Sequence, residues 1–294
     1  MSRGVKAAVA AVVVVLLAIP GVPWLLGIRR VEPGAAPMEV SAEYPHDVLD
    51  VLLSRFVSRD GAVDYAALAQ DSVDLRRYVA TIGTVGPGSR PDLFPTDAHR
   101  FAWHINAYNA VTLLGIVDSW PNAGVHDIHG PLNPKPGFGF FFGLRFQFDG
   151  LWLHTYGFEN DVMRGSFKDA RLHAAINCAS RSCPRLRTNA YLPDLLEEQL
   201  DRAAREFVST PPHVVFDSDA RVVKLSRIFQ WFRGDFEDHV RDLGVGDSVV
   251  HFIEHYSYPS RKVEANRART EDWKITYTEY DWSLNGVTGP PPAP

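Results

Sequence analysis

The sequence predicts an α+β fold, with a mainly helical body, short β-hairpins and a central buried helix at about residues 96–120. That helix is apolar nearly all round, which is typical of a helix covered on every side. Thr96 is a suitable N-cap and Pro121 ends the helix. Alternating segments on either side of residues 149–150 and 217–219 predict two hairpins.

The overall composition is that of an ordinary globular protein. The chain has 294 residues, 46% of them hydrophobic and 22% charged, which is enough for one large domain. Its net charge of −5 gives no sign of nucleic-acid binding, which favours a basic face, so we expect no nucleic-acid partner. We expect a tether at 31–44, a single globular domain at 45–285 and a disordered Pro-rich tail at 286–294.

The N-terminal segment indicates a membrane location. Residues 7–28 contain no charged side chain, and as a helix rising about 1.5 Å per residue they would cross a hydrocarbon core of about 30 Å. We therefore expect residues 1–30 to form a transmembrane signal anchor that holds the domain outside the cytoplasm, in the cell envelope. A cleaved signal peptide, cut near residues 34–36, is the alternative.

Both cysteines of the chain lie in one short stretch, residues 171–186. Alternation predicts a strand over 171–177, in which residues 173 and 177 would lie about 13 Å apart. His173 would then reach Cys183 only if the loop 178–184 folds back. Three arrangements remain open: a thiol nucleophile paired with His173, a Cys178–Cys183 disulfide, or two reduced, buried cysteines.

Two asparagines lie on the otherwise apolar central helix. Asn106 and Asn109, three residues apart, share one helix face. Buried carboxamides need partners, since an unsatisfied one costs about 1–3 kcal/mol. They either bond to loop backbone or line a site, where they or Glu159 would orient the imidazole of His173.

A zinc-peptidase pattern also occurs near the C-terminal end of the chain. His251 and His255 with the intervening Glu254 match H-x-x-E-H, and histidines four apart on a helix face the same way. No third ligand stands in a recognisable motif, and a five-residue match arises easily by chance. We therefore expect these to be surface residues, and we expect neither a metal nor another cofactor.

Several motifs together resemble the domain of unknown function 547 family, over roughly residues 45–285. They are found at residues 102–113, 158–164, 171–184, 225–236 and 280–285. The resemblance, to a membrane-anchored or secreted bacterial member, implies no specific activity. It does imply a cluster made of Glu159, Arg164, Arg171, His173, Cys178 and Cys183. The chain departs from the family pattern at His104, where an aromatic residue is commoner, and at Asn160, where a histidine often follows the glutamate.

Two function hypotheses follow from these residues. The first is a thiol-dependent hydrolase or acyl transferase that acts on an envelope peptide or amide, with Cys183 as nucleophile and His173 as base. Its remaining site residues would be catalytic Cys178, Glu159, Asn106 and Asn109, and binding Arg164, Arg171, Trp103 and Tyr108. The alternative is a non-catalytic envelope binding or assembly module in which Cys178 and Cys183 form a disulfide.

The predicted anchor is tested by immunoblotting membrane and soluble fractions of cells that produce the full chain. We expect the chain in the membrane fraction, because residues 7–28 would stay in the bilayer. A soluble mature chain that begins near residue 37 would exclude the anchor in favour of a cleaved signal peptide.

Overall fold

A computed structural model describes residues 25, 27–132, 135–271 and 273–287 of the chain. It confirms the α+β class, with a mainly helical body and two small sheets of three strands each. Within these ranges no helix has the length and apolar character needed to cross a bilayer. The predicted anchor at residues 1–30 lies almost wholly outside the described residues.

The helical body is built from short and medium helices. The α-helices are α1 His46–Phe56, α2 Tyr65–Gln70, α3 Val73–Thr84, α4 Asp97–Val117, α5 Thr155–Gly157, α6 Arg164–Phe167, α7 Leu172–Ala175, α8 Leu196–Ser209, α9 Arg227–Trp231, α10 Arg233–Asp242, α11 Val249–Tyr256 and α12 Pro259–Thr270. Wider π-helical turns span Gly139–Gly143 and Phe158–Met163, and 3₁₀ turns span Pro91–Leu93, Val125–Asp127 and Pro193–Leu195.

Both predicted hairpins are present, and each gains a third, parallel strand from a distant part of the chain. The strands are β1 Arg29–Arg30, β2 Leu144–Phe148, β3 Leu151–His154, β4 Val214–Asp217, β5 Val222–Leu225 and β6 Lys274–Tyr277. β1 pairs with β2, and β6 pairs with β5. Asp149 and Gly150 form the first hairpin turn with positive φ, as a two-residue turn requires.

The central helix forms as the sequence predicts. The Thr96 side chain caps α4 by accepting the His99 amide hydrogen, and every residue from Phe101 to Val117 is buried. Residues on all sides of α4 belong to the larger of two hydrophobic cores. Because residues 101–117 of α4 are shielded from solvent, a polar side chain there that lacks a hydrogen-bond partner costs free energy.

A second core forms around α8–α12 and the β4–β5–β6 sheet. Its centre is a cluster of phenylalanine rings on successive helices, with centroids 4.8 Å apart in each neighbouring pair: Phe207, Phe229, Phe236 and Phe252. The two cores meet along α7, and this junction positions the site described below.

The predicted strand at 171–177 is wrong. Residues 172–175 form the short helix α7, whose first amides bond to carbonyl groups three residues earlier. Within this segment Leu172 and Ala175 enter the first core, whereas Ala170 and Ala174 enter the second. A segment between two cores is apolar on two sides, so its pattern resembles alternation although its backbone is helical.

The segments that flank the domain pack against it. Val31, in the predicted tether at 31–44, is buried, and its amide bonds to the Arg145 carbonyl at 2.8 Å. The Met38 amide bonds to Thr81 Oγ1 at 2.9 Å. At the other end, the Val287 amide bonds to the Val63 carbonyl at 3.0 Å, and the rest of the predicted tail lies outside the described residues. Residues on both sides of positions 45 and 285 are therefore hydrogen-bonded to the globular body.

Candidate functional site: an aromatic cavity with a disulfide in its wall

A cavity of about 440 Å³ lies where the two cores meet. Its volume is within the usual range for small-molecule sites. Eight of its seventeen lining residues are aromatic: Tyr108, Phe141, Phe142, Tyr156, Trp231, Phe232, Tyr280 and Trp282. The others that bear on its chemistry are Glu159, Asn160, Arg164, His173, Cys178 and Cys183. Glu159, His173 and the two cysteines, expected from the sequence to share a site, thus line one cavity.

The two cysteines are joined in a disulfide, the second of the three arrangements considered above. Cys183 Sγ accepts a hydrogen bond from the Cys178 amide at 3.0 Å. The Tyr280 hydroxyl lies 3.1 Å from Cys183 Sγ and 3.4 Å from Cys178 Sγ. Because a disulfide sulfur carries no hydrogen, the hydroxyl is the donor in both contacts.

Asn109 and Asn177 hold the cysteine segment in place. Asn109 donates to the Ala175 carbonyl at 3.1 Å and accepts the Asn177 amide at 2.9 Å. The Asn177 side chain then donates to the Pro184 carbonyl and accepts the Ala179 amide, each at 2.8 Å. Asn109 is buried behind the loop and does not line the cavity, so it acts through the position of the backbone.

Three other residues expected at the site also lie away from the cavity. Asn106 bonds to both the amide and the carbonyl of Tyr191, at 2.9 and 2.7 Å. Trp103 is buried among aromatic rings of the first core. Arg171 is bound by three carboxylates, of which Asp169 and Asp201 lie at 2.6 and 2.7 Å. These side chains therefore fix the scaffold.

Glu159 is the carboxylic acid that faces the aromatic wall. It sits in the π-helical turn Phe158–Met163, and its Oε2 accepts a hydrogen bond from the Tyr108 hydroxyl at 3.3 Å. Burial raises the pKa of Glu159 to about 7, because the apolar surroundings disfavour the ionised form more than the tyrosine hydrogen bond favours it. The charge of this carboxyl therefore changes near neutral pH.

The imidazole of His173 is paired with Asp235, a residue that the sequence did not single out. His173 Nε2 lies 2.8 Å from Asp235 Oδ2, and the ring stacks on Phe232 with centroids 4.0 Å apart. Arg164 donates to both oxygens of the same carboxylate, at 2.6 and 2.7 Å. Burial lowers the pKa of His173 although Asp235 opposes that change, so the ring is neutral at pH 7.

Asp235 itself stays ionised. Burial alone would raise its pKa, but hydrogen bonds from Arg164 and His173 outweigh this effect and hold the pKa well below the usual range. Arg164 and Asp235 thus balance each other in charge. Because His173 is neutral, the net charge of these cavity groups follows the ionisation of Glu159.

Two residues were missed because they are distant in sequence from the cysteine segment: Asp235, which bonds to the cavity residues His173 and Arg164, and Tyr280, which lines the cavity. Asp235 is 62 residues from His173, and Tyr280 is 97 residues from Cys183. Both lie inside motifs that carry the family resemblance, at 225–236 and 280–285. Treating those motifs as parts of the site, and not only as marks of the family, would have identified both residues.

Asn160 and His104, the two residues that depart from the family pattern, both make defined contacts in the structure. Asn160 lines the cavity, and its side-chain oxygen accepts a hydrogen bond from Arg164 at 2.5 Å, so it supports the Arg164–Asp235 pair. His104 is buried and stacks on Phe158, and burial lowers its pKa to about 4.

The H-x-x-E-H segment makes other contacts. Glu254 is bound by Arg269 and Asn266, at 2.6 and 2.9 Å. In the part of the chain that the structure describes, no group of three His, Cys, Asp or Glu side chains is arranged to hold a metal ion.

Comparison with known proteins supports the family resemblance. Residues 94–208 match the model of the family described as protein of unknown function, DUF547. This range includes α4, Glu159, His173 and both cysteines, whereas Asp235 and Tyr280 lie beyond it. No match was found among curated proteins or among solved structures.

The raised pKa of Glu159 predicts how stability depends on pH. Between pH 4.5 and about 7, the folded protein keeps a proton that the unfolded chain releases. The free energy of unfolding of the wild type should therefore fall, relative to Glu159→Gln, as the pH rises through this window. Above it the difference should stay constant.

Urea unfolding of both proteins at several pH values between 4 and 8.5 measures this difference. All other titrating groups are shared, so their contributions cancel in the comparison. A difference that does not change between pH 4.5 and 7 would contradict the assignment of a raised pKa to Glu159.

Proposed function

We propose that the domain binds a small organic cation in the aromatic cavity, as an extracytoplasmic binding module. The observation that carries this proposal is the combination of eight aromatic side chains with a carboxyl group that is hydrogen-bonded to a tyrosine hydroxyl and not paired directly with a cation. Within the described residues, no Arg or Lys nitrogen lies within 4.0 Å of a Glu159 oxygen. The Tyr108 hydroxyl is its hydrogen-bond partner.

The aromatic wall supports a cationic ligand. Tyr280, Trp231 and Trp282 form a compact group in this wall. The Tyr280 ring centroid lies 4.9 Å from Trp231 and 4.4 Å from Trp282, and the two tryptophan rings stack with centroids 5.8 Å apart. Ring faces attract ammonium groups, by about 2 kcal/mol when the cation is desolvated. A quaternary or primary ammonium group would meet the rings on one side and the Glu159 carboxylate on the other, and its apolar part would contact Phe141 and Phe142.

The location outside the cytoplasm belongs to the same proposal. Its support is the apolar segment at 7–28 together with a disulfide, because disulfides persist mainly in oxidising compartments. An anchored binding domain of this kind would take up its ligand from the envelope.

The cation proposal is tested with choline and its neutral counterpart 3,3-dimethyl-1-butanol, in which carbon replaces the charged nitrogen. We expect choline to bind at least tenfold more tightly, since the rings and Glu159 both favour the charge. Its affinity should rise with pH up to about 7, because protonated Glu159 cannot neutralise the cation. Calorimetric titration at pH 5.5, 6.5 and 7.5 measures both effects.

Three variants give the controls for this titration. Glu159→Gln should weaken choline binding about tenfold at pH 7.5 and remove the pH dependence. Trp231→Leu should also weaken binding. Trp152→Leu should not, because Trp152, on β3, packs against Arg30 of β1 and does not line the cavity. Equal affinity for the cation and the alcohol would contradict the proposal.

A thiol-dependent hydrolase or acyl transferase is the second candidate, and it requires the reduced protein. The His173–Asp235 pair favours it. In a catalytic triad an imidazole base is oriented by a carboxylate, and His173 and Asp235 would supply these two members beside the nucleophile Cys183. The orienting residue would then be Asp235, instead of the Asn106, Asn109 or Glu159 expected from the sequence.

Iodoacetamide labelling of the reduced, folded protein tests this second candidate. An activated Cys183 should react faster at pH 6.5 than free glutathione, and His173→Gln should slow the reaction about tenfold or more. The matched control is His255→Gln, which changes an exposed histidine that does not line the cavity. Labelling no faster than that of glutathione, with no effect of His173→Gln, would exclude the hydrolase.

A further inference from the structure

We propose that the Cys178–Cys183 disulfide is redox-active and exchanges with small organic thiols that enter the cavity. This activity goes beyond ligand binding, because its chemistry takes place at the two sulfur atoms. Three features of the described structure carry the inference: access to one sulfur, hydrogen-bond donors at the other, and a loop that is closed without the disulfide.

Access differs between the two sulfur-bearing residues. Both line the 440 Å³ cavity, but Cys183 is buried, with 8% exposure, whereas Cys178 is partly exposed. Thiol–disulfide exchange requires a thiolate to approach one sulfur along the line of the bond that breaks. Cys178 is therefore the sulfur that an incoming thiolate attacks, and Cys183 is the leaving group.

Hydrogen-bond donors around the leaving sulfur, Cys183 Sγ, would stabilise the negative charge that it acquires. Cys183 Sγ accepts the Cys178 amide hydrogen at 3.0 Å and lies 3.1 Å from the Tyr280 hydroxyl. Cys178 Sγ has no such amide donor; its neighbours are the Ser180 hydroxyl at 3.2 Å and the Tyr280 hydroxyl at 3.4 Å. Hydrogen bonds to sulfur strengthen when it becomes a thiolate, and they lower the pKa of the thiol. A leaving thiolate of lower pKa departs faster, and a stabilised reduced form makes the disulfide a stronger oxidant.

The loop stays closed when the disulfide opens. The Asn177 side chain bridges its two ends by bonding to the Ala179 amide and the Pro184 carbonyl. The Arg181 and Ser182 amides bond to carbonyl groups of Ser283 and Asp281, at 2.9 and 3.2 Å. Because these bonds hold the loop without the sulfur link, the two thiols remain adjacent and the disulfide can form again.

The exchange balances in two steps. A substrate thiolate forms a bond to Cys178 Sγ, the disulfide breaks, and its electron pair moves to Cys183 Sγ. A second substrate thiolate then attacks the substrate sulfur of the mixed disulfide and releases Cys178 as a thiolate. In total, two thiols are oxidised to one disulfide, and Cys178 and Cys183 are reduced and take up the two protons.

The test equilibrates the folded full-length protein with glutathione buffers of graded ratio, traps the thiols with acid and an alkylating agent, and counts them by mass. The wild type should be reduced without denaturant. Tyr280→Phe should lower the equilibrium constant for reduction about tenfold, because it removes one donor to the thiolate. The rate of reduction should fall about threefold, since rates follow the leaving-group pKa only in part.

The matched control is Tyr258→Phe, which removes an exposed tyrosine hydroxyl away from the cavity and should leave both values unchanged. A second experiment locates the attack. In Cys183→Ser, glutathione disulfide should form a stable mixed disulfide at Cys178. In Cys178→Ser, the buried Cys183 should form one at least tenfold more slowly.

Two results would overturn the inference. The first is a disulfide that is reduced only after denaturant unfolds the protein. The second is an equal effect of Tyr280→Phe and Tyr258→Phe while circular dichroism shows both variants to be folded. Choline binding by the oxidised protein is read independently, so failure of this inference is distinguishable from failure of the proposed function.

Discussion

The site depends most on the hydrogen bonds that the Asn109 carboxamide makes with the cysteine segment. Asn109 lies on a helix that is buried on every side, where an unpaired amide would cost about 1–3 kcal/mol. Its two partners are the Ala175 carbonyl and the Asn177 amide. The hydrogen bonds that satisfy the buried Asn109 side chain therefore also fix the position of the cysteine loop. Asn106 does the same for the backbone at Tyr191. Because Asn106 and Asn109 lie in apolar surroundings, their hydrogen bonds fix the position of chain segments more than sixty residues away.

The electrostatics of the cavity depend on which of its ionisable side chains are paired with an opposite charge. Arg164 and Asp235 neutralise each other through two hydrogen bonds, and burial keeps His173 uncharged. Glu159 has a tyrosine hydroxyl in place of a cation, so desolvation dominates its pKa. A low-dielectric cavity with one titrating group responds to charge more strongly than a solvated surface does. The same seclusion strengthens the two hydrogen bonds at Cys183 Sγ.

Sequence reasoning succeeded where the signal is local and failed where it is not. The central helix followed from all-round apolarity and the Thr96 cap, and the hairpins followed from their turn residues. The strand at 171–177 was wrong because a helix between two cores and a half-buried strand give similar patterns. Glu159, His173 and the cysteines were placed in one site through their motifs. Asp235 and Tyr280 could not be assigned roles, because pairing across 62 and 97 residues leaves no local pattern.

The position of Tyr280 has a consequence for how the site comes into being during synthesis. The ends of the cysteine loop are joined by the bond between Asn177 and the Pro184 carbonyl, whereas the Arg181 and Ser182 amides of the loop bond to carbonyl groups of Ser283 and Asp281. Tyr280 and Trp282 are made about a hundred residues afterwards, and only then does Cys183 Sγ acquire its hydroxyl donor and the cavity the last part of its aromatic wall. In a chain that has not yet been extended to Tyr280, the two cysteines would therefore lie in more solvated surroundings than in the complete fold. Docking of the last segment would change the hydrogen bonding and solvation of the two sulfurs, with no change in the residues that bear them.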